Sequence, residues 1–225
     1  MKQDDSKNRT NFFTEIGIAL RRNGFDAPPP TDGLMPVFLD GLPLCRITDN
    51  GGVRYHESDL GNAEREDALH QVTDTVQTVA EYTRLMDTAP ILQADGLDEN
   101  YQLLADFSGV VLAGHATRYG VQFVTWDWDY EKTGVTQGHY MLNNYTAAKQ
   151  NFAVRSGLIR REQLFSPEQL TELSRCVQAV LEDQNELTCD QETLLRETQE
   201  QIETLVPNLQ QRMAQEQSAF SQPTM

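Results

Sequence analysis

Between Tyr101 and Leu142 apolar and polar residues alternate with a period of two, the spacing at which successive strand side chains point to opposite faces. The alternation predicts four short strands, over 102–107, 110–116, 121–130 and 136–142. The breaks at Ser108-Gly109, Arg118-Tyr119-Gly120 and Glu131-Lys132-Thr133-Gly134 are hairpin-sized, so the expected arrangement is an antiparallel meander. Upstream, Pro36 to Leu39 and Leu42 to Ile47 flank Asp40-Gly41, a dipeptide suited to the positive φ angles of a type I′ turn. A second turn at Asp49-Asn50-Gly51-Gly52 leads into Val53-Arg54-Tyr55.

Elsewhere the apolar positions recur at helical spacing. Thr10 is placed to cap a helix carrying Phe12, Phe13, Ile16 and Leu20 and ending near Asn23-Gly24, which reads as a docking helix. The prolines of Ala27-Pro28-Pro29-Pro30-Thr31-Asp32-Gly33 exclude helix and predict an extended linker. Between Asn62 and Ala89, Leu69, Val72, Val76, Val79 and Tyr82 form one stripe of a long amphipathic helix. Asn144 caps a helix over 145–156, with Ala148 and Phe152 toward the sheet and Gly157 as its stop. Ser166-Pro167-Glu168-Gln169 combines a cap, a proline at the first position and a capping-box glutamine before the stripe Leu170, Leu173, Val177 and Leu181. Thr188-Cys189-Asp190-Gln191 repeats the box before Leu194, Leu195, Ile202 and Leu205, which predicts an antiparallel helical hairpin ending at Pro207. The expected fold class is α+β, a small antiparallel meander packed with helices plus a C-terminal helical hairpin. The expected division is a helix and linker over 1–33, one domain over 34–206 and a flexible tail over 207–225.

Charge narrows the function classes. Acidic residues number 34 against 18 basic ones, a formal charge of −16. Residues 57–99 and 162–225 hold most of the acid, while 118–161 is mildly basic. Direct nucleic-acid binding is not expected, because affinity for a phosphate backbone comes from clustered lysine and arginine. A basic or DNA-handling protein partner fits, as does mimicry of DNA itself. No run approaches the roughly 20 apolar residues of a membrane-spanning helix and the start lacks a signal-peptide pattern, so a cytoplasmic protein is expected. The three cysteines, Cys45, Cys176 and Cys189, form no C-x-x-C pair, and Cys45 reads as a small buried side chain.

Phosphate-binding, dinucleotide-binding, nucleophile-elbow and zincin motifs are all absent, and no cofactor is expected. The best chemical constellation is Asp127, Asp129 and His139, with His115 or Thr125 beside it. Two carboxylates at i and i+2 share a strand face, and a histidine on the paired strand would complete a divalent-metal or acid-base site. The plainer reading is acids on the solvent face of a half-buried strand that runs into the turn holding Lys132. Val124, Trp126, Trp128 and Tyr130 share the other face, either as the core beneath the 145–156 helix or as a stacking platform for single strands.

The run Tyr119-Gly120-Val121-Gln122-Phe123-Val124-Thr125-Trp126-Asp127-Trp128-Asp129-Tyr130, followed by Gly138-His139-Tyr140 and Ala147-Ala148-Lys149-Gln150-Asn151-Phe152-Ala153-Val154-Arg155, resembles uncharacterised accessory proteins of conjugative and integrative elements from gut Firmicutes. The resemblance spans residues 36–206 and implies a mobile-element setting of transfer, regulation or evasion of host restriction. An interaction protein is therefore the first expectation. A metal-dependent or acid-base enzyme using Asp127, Asp129 and His139 is the second, and a DNA mimic of the anti-restriction type the third.

Overall fold

Among the described residues, helical and strand periodicities resolve as two antiparallel sheets and five α-helices in a computed structural model. It describes residues 2–182 and 187–206 together with Leu209 and Met213, residues 2–10 as backbone only. The chain divides into two compact units, Met1–Ile159 and Arg160–Met225. The cut lies after the 145–156 helix.

The first unit starts with α1 (Lys2–Arg22), which begins upstream of Thr10. β1 (Leu34–Leu39), β2 (Leu42–Thr48) and β3 (Val53–Arg54) form a three-stranded sheet. Asp40 at φ 51° and Gly41 at φ 76° make the positive-φ turn that the dipeptide predicts. Next come α2 (Ala63–Thr88) and the meander of β4 (Gln102–Phe107), β5 (Val110–Thr117), β6 (Gly120–Trp128) and β7 (Val135–Leu142), in the order β4-β5-β6-β7. α3 (Tyr145–Arg155) follows, with the Asn144 side chain accepting the Ala147 N–H at 3.0 Å.

One continuous core joins both sheets to the helices. Phe12, Phe13, Ile16 and Leu20 of α1 lie against Val72, Val76 and Val79 of α2, together with Val37 and Ile47 from one sheet and Leu112 and Phe123 from the other. Each such side chain, fully buried, contributes about 1.5–3 kcal/mol. α1 is therefore a core element, not an appended docking helix. The residues leading into the prolines are tied down as well: Asp26 and Phe38 exchange backbone hydrogen bonds of 3.1 and 2.8 Å, and Phe25 and Ala27 are buried.

α3 packs on the face of the meander that carries Phe123 and Thr125, where Tyr145, Ala148 and Phe152 meet it. The Trp126 face is covered by the irregular stretch between α2 and β4. Leu92, Ala94, Leu97 and Tyr101 form a second small core with Val111, Ala113, Val124 and Trp126. The cover is held by Leu92 N–H to Tyr101 O at 2.7 Å and Leu103 N–H to Pro90 O at 2.8 Å. The expectation that α3 covers the tryptophans is thus corrected. Both faces of β6 are apolar enough to be buried, and alternation cannot say by what.

The second unit is the predicted helical hairpin, α4 (Pro167–Glu182) and α5 (Cys189–Leu205). Both starts carry the reciprocal box: Ser166 N–H donates to Gln169 Oε1 and Gln169 N–H to Ser166 Oγ, with Thr188 and Gln191 doing the same for α5. Leu170 near the start of α4 packs with Ile202 near the end of α5, and Ser174 bonds to Gln199, so the helices run antiparallel. The expected frayed tail over 207–225 lies, apart from Leu209 and Met213, outside the described residues. Those two are buried with Ile202 and Val206.

Candidate functional site

The three residues expected to hold a metal are engaged separately. Asp127, one residue before the end of β6, forms an ion pair with Arg155 of α3 at 2.8 Å. Asp129 lies beyond the strand and folds over the turn that follows, accepting Thr133 N–H at 2.9 Å and Gly134 N–H at 2.8 Å. His139 stands opposite Thr125, with its Nδ1 at 3.3 Å from Asn151 Nδ2. Among the described residues no group of three or more His, Cys, Asp or Glu gathers that could hold a metal. The register between β6 and β7 is irregular: Thr136 stands opposite Asp127 and His139 opposite Thr125, with Gln137 and Gly138 spanning the single residue Trp126. His115 points to the opposite face, its Nδ1 at 2.9 Å from Asn100 O.

What this part of the sheet builds instead is a polar clasp under α3. Thr125, fully buried, donates from Oγ1 to Asn151 Oδ1 at 2.6 Å. Arg155 donates to Thr125 O at 2.9 Å, to Thr125 Oγ1 at 2.8 Å and to Gln137 O at 2.9 Å. One guanidinium thus joins α3 to β6 and β7. Asn151 and Arg155 sit at i and i+4 beside the apolar stripe of α3, a pairing the sequence displays.

The aromatic row is not an open platform. Trp126 is 4 % exposed, with Tyr101 and Tyr140 edge-on to it at 4.9 and 6.0 Å. Trp128 is half-buried and donates from Nε1 to Asp106 Oδ2 at 3.1 Å, while Tyr130 is fully exposed. Burial pushes the Tyr101 hydroxyl up to about 12, with the Glu99 charge acting the same way. Cys45 is buried, and its thiol rises to about 12 through that burial, opposite to what a nucleophile requires.

A polar cleft of about 320 Å³ lies between α1, α2 and the turn from β7 into α3. On its wall Glu15 Oε2 accepts the Tyr82 hydroxyl at 2.8 Å and the Val121 N–H at 3.1 Å. Burial raises the Tyr82 hydroxyl far above its ordinary value, and the Glu15 charge and hydrogen bond add to the shift. Beside it Tyr145 donates to Glu81 Oε1 at 3.0 Å and Lys149 pairs with Glu81 at 2.8 Å. Burial works to raise the Glu81 carboxyl, but the Lys149 and Tyr145 hydrogen bonds and the Lys149 charge outweigh it and hold the group below its ordinary value.

No family model, curated protein or solved structure matches the chain. Surfaces are then the remaining discriminator, and the hairpin carries an unusual one. α4 buries two small polar residues, Thr171 and Ser174, the latter bonded to Gln199 at 3.1 Å. Leu173 and Val180 remain 41 % exposed each, with Cys176 exposed on the same side of the helix. On α5, Leu194 and Leu205 are 64 % and 65 % exposed. The stripe expected to be core is thus rotated partly into solvent. Among the described residues no helix is long and apolar enough to cross a membrane.

Proposed function

We propose that the chain is an interaction protein that binds a basic protein partner through the outer faces of α4 and α5. The observation that carries this reading is the exposed row Leu173, Cys176 and Val180 on a helix that buries Thr171 and Ser174. A leucine or valine left in water forgoes about 1.5–3 kcal/mol of burial, and a row of them at helical spacing suits a partner that covers it. Residues 160–225 hold twelve acidic side chains against five basic ones. Complementarity then favours an apolar ridge flanked by lysine or arginine.

A setting in a mobile genetic element would make a DNA-handling protein the natural owner of such a basic surface. Pure mimicry of DNA fits less well, since imitating phosphates requires no exposed leucine. The separate engagements of Asp127, Asp129 and His139 weigh against a metal-dependent enzyme.

The test is capture from a cell lysate by the tagged full chain and by a Leu173→Asp/Val180→Asp variant, at low and moderate salt, read by mass spectrometry. Expected is a basic or DNA-handling protein that salt releases from the wild type and that the variant fails to retain, with both chains equally helical by circular dichroism. Equal retention by the variant overturns the assignment, as does capture of nothing above background.

A further inference from the structure

We infer that the cleft between α1, the proline-bearing stretch 27–33 and β1 binds a small apolar monocarboxylate, its carboxylate on Arg21 and its carbon skeleton along the prolines. The cleft's volume, about 440 Å³, lies within the roughly 300–1,000 Å³ of small-ligand pockets. Its origin is a gap in backbone pairing. The chain before β1 turns back alongside it: Asp26 and Phe38 exchange hydrogen bonds at one end, and Thr31 and Leu34 exchange bonds of 2.9 and 3.0 Å at the other. Between these bridges Pro28, Pro29 and Pro30 have no N–H to donate. The facing position of β1, midway between Leu34 and Phe38 at a period of two, is Pro36, which has none either. The ladder cannot close, and the fixed φ angles of the prolines hold the gap in shape before any ligand arrives.

α1 supplies the opposite wall. Phe13, Gly17 and Arg21 recur every four residues on one stripe along the cleft, and the buried Ala27 and Met35 complete an apolar floor with Phe13. Two of these neighbours place the Arg21 guanidinium. Its Nη1 donates to Ala27 O at 3.0 Å. A Cβ at Gly17 would stand 3.1, 3.3 and 3.5 Å from Nη1, Nη2 and Cζ, nearly equal distances that set the face of the guanidinium against the helix. Glycine at this position gives the group its room. Among the described residues Ala27 O is its one hydrogen-bond acceptor, so most of its five N–H groups remain for a ligand.

The acids near the cleft lie away from that group. Asp49 follows Thr48, the register partner of Leu34, and so sits at the Thr31 end. Arg21 reaches the Phe38 end through Ala27, four residues or about 13 Å away along β1. Asp26, extended in its bridge to Phe38, is exposed between the buried Phe25 and Ala27, which turns its side chain outward. A carboxylate suits the planar fork of Arg21, and an aliphatic or aryl skeleton suits Phe13, Met35 and the prolines. An alkylammonium meets a cation there, and a ligand polar along its length forgoes the apolar middle. The inference does not depend on the helical hairpin, since every lining residue belongs to the first unit.

The experiment is isothermal titration of the full chain with octanoate and with phenylpropionate, the aliphatic and aryl forms of this chemistry, alongside octylamine and octanol. The chain's charge of −16 favours an ammonium over a carboxylate at any unspecific site, which makes the comparison stringent. At least one carboxylate is expected to bind at one site per chain, about tenfold or more tighter than octylamine. Arg21→Met should weaken it about tenfold or more, the loss of one charge-assisted contact. That variant also removes the hydrogen bond to Ala27 O, so its folding is checked by circular dichroism. If it does not fold, the order of octanoate, octanol and octylamine on the wild type decides alone. Absence of carboxylate binding at millimolar concentration overturns the inference. So does octylamine or octanol binding as tightly as either carboxylate, or unchanged carboxylate affinity in a folded Arg21→Met chain.

Discussion

Replacing Arg155 by methionine keeps the aliphatic stem and deletes the guanidinium that joins α3 to β6 and β7. The Arg155 side chain is 13 % exposed and makes three hydrogen bonds to Thr125 and Gln137 besides the ion pair with Asp127. Hydrogen bonds from a charged donor contribute about 1.5–3 kcal/mol each and do not add fully, and desolvating the guanidinium offsets part of them. A net loss of about 3 kcal/mol follows. Asp127 is 34 % exposed, so the solvent-screened pair itself is worth about 1 kcal/mol or less. Asp127→Asn should accordingly cost about a third as much as Arg155→Met. For the unit Met1–Ile159 the arginine variant should melt roughly 6–12 °C lower, at about 2–4 °C per kcal/mol. The assay is thermal and urea unfolding of both single variants and the double variant, followed by circular dichroism. If Asp127→Asn costs as much as Arg155→Met, the backbone clasp contributes nothing and the reasoning is refuted.

Two further predictions concern the core. Gly138→Ala would place a Cβ 2.5 Å from Trp126 Nε1 and 3.0 Å from Tyr140 Cε2, so it should destabilise by about 1–3 kcal/mol and shift tryptophan fluorescence. Gly61→Ala, with no heavy atom within 4 Å, should leave both melting and fluorescence unchanged, and equal effects of the two would sink the packing argument. Tyr82 and Cys45 have folded pKa values raised by burial, so the unfolded chain gives up protons that the folded one retains. Their stabilising contribution is complete below the unfolded values, near 9 for the thiol and 10 for the tyrosine. It falls by about 1.4 kcal/mol per pH unit for each group above them. Urea midpoints measured across the alkaline range should fall steadily with rising pH, and a flat or rising profile contradicts the buried placement.

Turns and caps were the legible part of this fold. Asp40-Gly41, Ser108-Gly109, Asn144, Ser166 and Thr188 each act through residues within a few positions, so local chemistry was enough to read them. Partner identity was not legible. Phe123 and Thr125 on one face of β6 and Val124 and Trp126 on the other are all buried, and no alternation tells α3 from the aperiodic stretch that carries Leu92 and Tyr101. Where Asp127, Asp129 and His139 would lie relative to one another was not legible either, because strand alternation gives a face but not a register, and Gln137 at φ 51° sits in an extra residue opposite Trp126. The α4 stripe misled in a different way. Periodicity shows that Leu170, Leu173, Val177 and Leu181 share a side, yet packing against α5 turns Thr171 and Ser174 inward. The cleft around Glu15 was invisible in principle, since it is made by residues 106 positions apart.

That separation has a consequence for how the chain comes off a ribosome. α1 is made early, but the backbone N–H of Val121 that receives Glu15 follows 106 residues later. At about 5–20 residues per second the wait is roughly 5 to 20 s, during which Phe12, Phe13, Ile16 and Leu20 lack their final seat on the meander. For that interval the apolar face of α1 is only partly covered in the nascent chain, and a pause in translation before β6 would lengthen the exposure.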